Sequence, residues 1–149
     1  MQIGGNTLVE RATKEVRYYS QERGMDPYDL NVARMDSHGG WIATPTDLLR
    51  FVVKIDGFSN AQLLSRDTLK IMTTPSQANS GYARGLLVNK FNNWWHTGSL
   101  PGTITIAVRT DTDFCWAALT NTRSKFEDMI NALDLFMWHM VGSVDGWRA

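Results

Sequence analysis

The chain has 149 residues, enough for one domain with a buried core, and its 43% hydrophobic and 20% charged content is that of a folded protein. Fifteen basic side chains balance fifteen acidic ones, and without a basic run there is no electrostatic footprint for nucleic acid or an anionic membrane surface. The single Cys115 excludes an internal disulfide and a multi-cysteine metal site, and no apolar run approaches the roughly 20 residues of a membrane helix.

Residues 1–35 are loop-rich. EVRYY (15–19) alternates enough for a short strand, whereas QERGMDPYDLN after it has the composition of a loop. Thr44-Pro45-Thr46-Asp47 then supplies a cap, a proline at the first helical position and an acid three residues past the cap. This predicts a helix over about 45–56, with Leu48, Leu49, Phe51, Val52 and Ile55 as its apolar stripe and Gly57 as its end. A second helix is predicted over about 66–73, after Ser65, with Leu69 and Met72 facing inward and Pro75 stopping it.

From residue 82 the hydrophobic period changes to that of strands. YARGLLVN, NWWHT, TITIAVRT and FCWAALTN are separated by turn residues at Asn92-Asn93, Gly98–Gly102 and Asp111–Asp113. Short links make such neighbours antiparallel. A last helix is predicted over about 125–141, where Phe126, Met129, Ile130, Leu133, Phe136, Met137 and Met140 share one wide apolar face. That face must cover the sheet, so Ile130, Leu133 and Met137 are expected to be buried. The fold class predicted is α+β, one domain over 1–149. An antiparallel sheet of three to four strands from about 82–121 carries the C-terminal helix, with one or two helices upstream.

The stretch WWHTGSLPG (94–102) asks for more than a turn. A hairpin uses the Gly and Pro but has no need of His96 and Thr97. As a strand end, His-Thr-Gly-Ser places two hydrogen-bonding side chains on opposite faces, or on one rim if the strand bulges at Gly98. Gly98 lets a ligand approach the main chain, and the Ser99 amide just past it can donate to an oxyanion. The alternative is that Thr97 caps the turn and His96 is a surface residue; these residues alone do not choose between the two. The six tryptophans serve core packing or form an aromatic wall beside a pocket. Asp36-Ser37-His38 are adjacent and cannot aim into one triad, Asp111 and Asp113 read as a turn, and His38, His96 and His139 are too scattered for a zinc site. No metal and no cofactor is called for.

Three stretches together resemble the C-terminal part of the serine β-lactamase and penicillin-binding-protein superfamily, in particular its class C-like esterases and D-peptidases. MDSHGGWIATPTDLLRF (35–51) is similar to a Gly-Gly segment leading into a helix, and WWHTGSLPGT (94–103) to the third motif, Lys-Thr-Gly or His-Thr-Gly. FCWAALTNTR (114–123) and the helix after it are similar to the last strand and terminal helix. The resemblance implies that His96 and Thr97 bind a substrate carboxylate or polarise the site, that Gly98 keeps the strand open, and that the Ser99 amide forms half of an oxyanion hole. Trp95 would pack behind the motif.

Two motifs of that superfamily are absent. No serine has Lys three residues on, Ser20 with Arg23 coming nearest, and Tyr18, Tyr19, Tyr28 and Tyr82 all lack Asn two residues later. Without nucleophile and base there is no turnover. The chain therefore reads as the C-terminal portion of a β-lactamase-like hydrolase with a partial fold, partnered by the missing N-terminal part of the same domain. The substrate implied for the whole is a small molecule or peptide with a carboxylate. The alternative is a non-catalytic domain that keeps the His-Thr-Gly strand to bind a ligand or peptidoglycan. If the intact protein is exported, the address lies outside these residues.

Overall fold

A computed structural model describes residues 1–58, 62–124 and 128–147. Its centre is a four-stranded antiparallel meander: β4 (Leu87–Val88), β5 (Trp94–Leu100), β6 (Thr103–Arg109) and β7 (Cys115–Thr120), paired in that order. Two-residue spacing of Ile104, Ile106 and Val108 sends all three to one face, where they are 2–4% exposed. The predicted α+β class and sheet stand. The YARGLLVN strand is reduced to Leu87–Val88, because Ala83 and Leu86 close a tight turn by a backbone hydrogen bond of 2.8 Å.

Helices cover both faces of the sheet. On one side lie α2 (Pro45–Val53) and α3 (Arg66–Thr73). Thr44 caps α2 through a reciprocal box with Asp47, whose amide donates to Thr44 Oγ1 at 3.1 Å. Ser65 caps α3 by accepting from the Thr68 amide. Val52 of α2, Ile55 after it and Leu69 of α3 form one core with Val88 and Trp94, and Ala107 and Cys115 pack against it. On the other side α4 (Met129–Gly142) brings Leu133, Met137 and Val141 onto Ile106, Val108 and Trp116. Trp138 meets Trp116 edge-on, centroids 4.7 Å apart at 81°.

The expected burial of Ile130, Leu133 and Met137 is corrected: all three are half-buried. The reason is that among the described residues no second helix packs beside α4 on that face, so the flanks of the helix stay open. The predicted first turn of that helix at 125–127, with Phe126, lies outside the described residues.

The first 42 residues contribute short pieces tied down by long-range pairing. β1 (Gln2–Ile3) pairs with β3 (Trp41–Ile42), and β2 (Tyr19–Ser20), all that forms of the predicted EVRYY strand, runs parallel to β8 (Thr122–Arg123). Between them α1 (Val32–Met35) is one turn capped by Asn31. Glu22, 7% exposed, holds Arg123 at 2.7 Å, which fixes the segment beside the sheet. No described helix is long and apolar enough to cross a membrane.

Candidate active site

The β5–β6 hairpin is closed by Pro101 and Gly102. Proline fixes φ at the first loop position and Gly102 supplies φ +79° at the second, the requirement of a type II turn. A Cβ on Gly102 would lie 2.6 Å from Pro27 Cγ and 2.9 Å from Tyr18 Cβ, so the turn also seats the N-terminal segment. This two-residue loop sets the register of the strand that carries the motif.

The pairing runs unbroken from Trp94↔Arg109 to Leu100↔Thr103, with no bulge at Gly98. His96 and Thr97 therefore point to opposite faces. His96 is opposite Ala107, on the α2 and α3 side, and is exposed; Thr97 is opposite Ile106, on the α4 side, and is half-buried. Trp95 packs against the Ile106, Val108 and Trp116 cluster, while Trp94 is buried at 5% in the opposite core. The six tryptophans are thus divided, with Trp94 and Trp116 in the core and Trp41 and Trp147 about half exposed.

Gly98 is required for a reason other than ligand access. It lies opposite Thr105, and a Cβ at Gly98 would sit 2.5 Å from Thr105 Oγ1. Thr105 is the neighbour that residue-by-residue reading missed. The TITIAV alternation combined with a two-residue Pro-Gly loop would have found it, because that register fixes Gly98 against Thr105.

The edge of β5 is what the structure adds. Asn89 donates its N–H to the Asn93 carbonyl at 3.1 Å, so Asn93 and Trp95 direct their main-chain groups toward β4. Alternation directs the N–H and C=O of Thr97 and Ser99 to the same edge, but β4 ends opposite Trp94 and Trp95. Among the described residues nothing pairs with the Thr97 and Ser99 main chain. Two unpaired amides, an exposed imidazole and the Ser99 hydroxyl thus share one open strand end.

The opposite end of the β5–β6 pair, where Trp94 faces Arg109, is closed by Arg109. Its guanidinium lies 4.0 Å over the Phe58 ring, while Nε donates to the Asp56 carbonyl at 2.9 Å and Nη1 to the Asn92 carbonyl at 3.0 Å. Burial lowers the Arg109 pKa, and Asp56 and Cys115 act the other way. Asp36, Ser37 and His38 stay on an exposed loop where Asp36 accepts from Trp41 Nε1 at 3.0 Å, away from any triad. No cluster of potential metal ligands occurs among the described residues.

A model of the beta-lactamase family matches residues 3–135. No curated protein matches the chain, and no solved structure does.

Proposed function

The chain belongs to the beta-lactamase family, and we propose that it supplies the His-Thr-Gly wall of a serine acyl-transfer site while lacking the site's nucleophile and base. One observation carries this reading: the strand end holding His96, Thr97, Gly98 and Ser99 has an open edge with unpaired main-chain groups. In that role the Ser99 amide donates to the carbonyl oxygen as it gains negative charge, worth several kcal/mol only in a preorganised, water-excluded site. His96 and Thr97 bind the substrate carboxylate or polarise the site, and Trp95 packs behind the motif. The bond-making serine and its lysine must come from residues outside this sequence, since no Ser-x-x-Lys or Tyr-x-Asn occurs within it.

The expected behaviour of the isolated chain is no hydrolysis of nitrocefin or p-nitrophenyl acetate above the buffer rate. Turnover that survives further purification and disappears on one Ser→Ala change would overturn the reading. In an intact hydrolase containing this chain, His96→Ala should lower kcat/KM for a carboxylated substrate about 10- to 100-fold, the equivalent of roughly 1–3 kcal/mol, and leave a neutral ester little changed. Equal losses on both substrates would remove His96 from the carboxylate contact.

A further inference from the structure

The turn after α1 holds a backbone conformation that its residue does not favour. The His38 N–H donates to the Met35 carbonyl at 2.8 Å, closing a tight turn with Asp36 and Ser37 at its centre. Asp36 has φ 44° and ψ −126°. That is the first central position of a type II′ turn, which glycine dominates because a side chain is strained there. Neighbours hold it in place. The Gly40 N–H donates to the Asp36 carbonyl at 2.7 Å, and a Cβ on Gly40 would lie 2.3 Å from the Val32 carbonyl oxygen and 2.9 Å from the Asp36 nitrogen. The Gly40 carbonyl in turn accepts from the Gly4 N–H at 2.8 Å, beside the pairing of β1 with β3.

This ψ decides what the Asp36 side chain can reach. In an L-residue Cβ stands about 120° from the backbone nitrogen around the Cα–C bond, so a ψ of −126° brings Cβ nearly into eclipse with the nitrogen of Ser37. Helical and extended backbones both hold those two atoms well apart. The eclipsed arrangement is that of a closed five-membered ring through Asp36 Cγ and the Ser37 nitrogen. Among the described residues the Ser37 N–H has no hydrogen-bond partner, and the Asp36 carboxylate is held at the turn by Trp41 Nε1 at 3.0 Å. Asp36, Ser37 and His38 are exposed, so water reaches both groups.

We infer that Asp36-Ser37 is a site of spontaneous succinimide and isoaspartate formation, a covalent modification that this fold promotes. The Ser37 nitrogen attacks Cγ of the Asp36 carboxylic acid. A C–N bond forms as the C–OH bond breaks, and the hydroxyl leaves with the proton of the nitrogen as one water, so no oxidant or cofactor takes part. Water then opens the ring at either carbonyl, restoring aspartate or leaving isoaspartate with an extra carbon in the main chain. Folding slows this reaction wherever it holds ψ at helical or extended values; at Asp36 it supplies the reactive conformation. Residue types alone rank Asp56-Gly57 and Asp145-Gly146 first, since glycine leaves the attacking nitrogen least hindered. Asp56 is removed from contention by burial and by the Phe58 amide and Gln62 side chain, which bind its carboxylate at 2.8 and 3.0 Å. The longer main chain of isoaspartate has no room beside Gly40, so the modification opens the junction between α1 and β3.

Peptide mapping by mass spectrometry, after the chain is incubated in mildly acidic buffer, tests this, with isoaspartyl methyltransferase labelling to quantify the product. The peptide holding Asp36 should first appear lighter by one water, then at its original mass as a methyl-accepting isoaspartate. The decisive comparison is the same incubation in denaturing urea. Conversion at Asp36 should be about 10- to 100-fold faster in the folded chain, because an unfolded residue seldom visits so sparsely populated a backbone region. Asp145-Gly146 should gain nothing from folding. Asp36→Asn keeps the ring chemistry with ammonia as the leaving group and should likewise convert faster folded than unfolded. Asp36→Glu, which would need a larger ring, should lose the label at that peptide. Conversion of Asp36 that is equal or slower in the folded wild type overturns the inference without recourse to any variant, as does labelling of that peptide that Asp36→Glu leaves unchanged.

Discussion

Gly98 and Thr105 make a pair that neither residue explains alone. The 2.5 Å approach of a Cβ at Gly98 to Thr105 Oγ1 means that Gly98→Ala must push a short, branched side chain out of its rotamer. Gly98→Ala should cost about 1–3 kcal/mol in urea unfolding, and much of that should be recovered in the Gly98→Ala/Thr105→Ala double variant. Additive losses would show that the glycine is needed for something other than its cross-strand neighbour. Cys115 shows a second environment set by position. Burial, and then the Asp56 carboxylate 3.9 Å from its sulfur, push the thiol up to about 12. An unfolded thiol ionises near about 8.5. The folded pKa is the higher one, so this group's contribution is fully present below about pH 8.5 and is lost as pH rises toward 12. The stability difference between wild type and Cys115→Ala should therefore shrink between pH 8 and 11, and the native thiol should resist a disulfide reagent at pH 8. Fast labelling of the folded chain would contradict both expectations.

At the scale of elements, legibility in the sequence followed how local the determining interactions are. The cap at Thr44 and the alternation in TITIAV are complete within a few residues, and both elements start where they are predicted, although the helix predicted over about 45–56 ends at Val53 and Phe51 of its stripe is exposed. β1, β3, β2 and β8 are two-residue strands whose partners lie from about 40 to about 100 positions away, and no period in their own residues announces them. Nor does periodicity tell how much of an apolar face is covered. α4 has the predicted face from Met129 on, yet with no second helix beside it among the described residues the inward residues remain half-buried. Leu133→Ala should accordingly cost about 1–2 kcal/mol, below the 2–5 kcal/mol of a fully buried leucine. A urea midpoint shift equivalent to more than about 3 kcal/mol would mean that something covers α4 in solution.

The candidate site was legible as residue types and order, from His96 to Ser99, but not as an open edge, because that depends on where β4 ends relative to β5. The same applies to the molecule as a whole. With an unfolded surface of about 24,000 Å² for 16.8 kDa, an exposed area of 10294 Å² means that about 58% is buried on folding. A domain of about 150 residues buries about 68–70%, and 60% is typical of about 60 residues. The shortfall is visible as apolar side chains in water: Leu63 is 67% exposed, Ile71 57%, Trp41 51% and Phe51 49%. Such surface should bind an anilinonaphthalene dye in the native state. Dye binding is also a mark of molten globules, but those lose fixed aromatic packing and with it the near-UV circular dichroism. Here Trp116 is 3% exposed and held edge-on to Trp138, a chiral pair that should give a strong near-UV signal. The expected result is both observations together, dye fluorescence and a near-UV tryptophan band, with Trp138→Phe removing most of the band and leaving the dye signal. Dye binding without the band would mean that the helix α4 does not dock on the sheet. The band without dye binding would mean that these apolar faces are covered in solution by a partner.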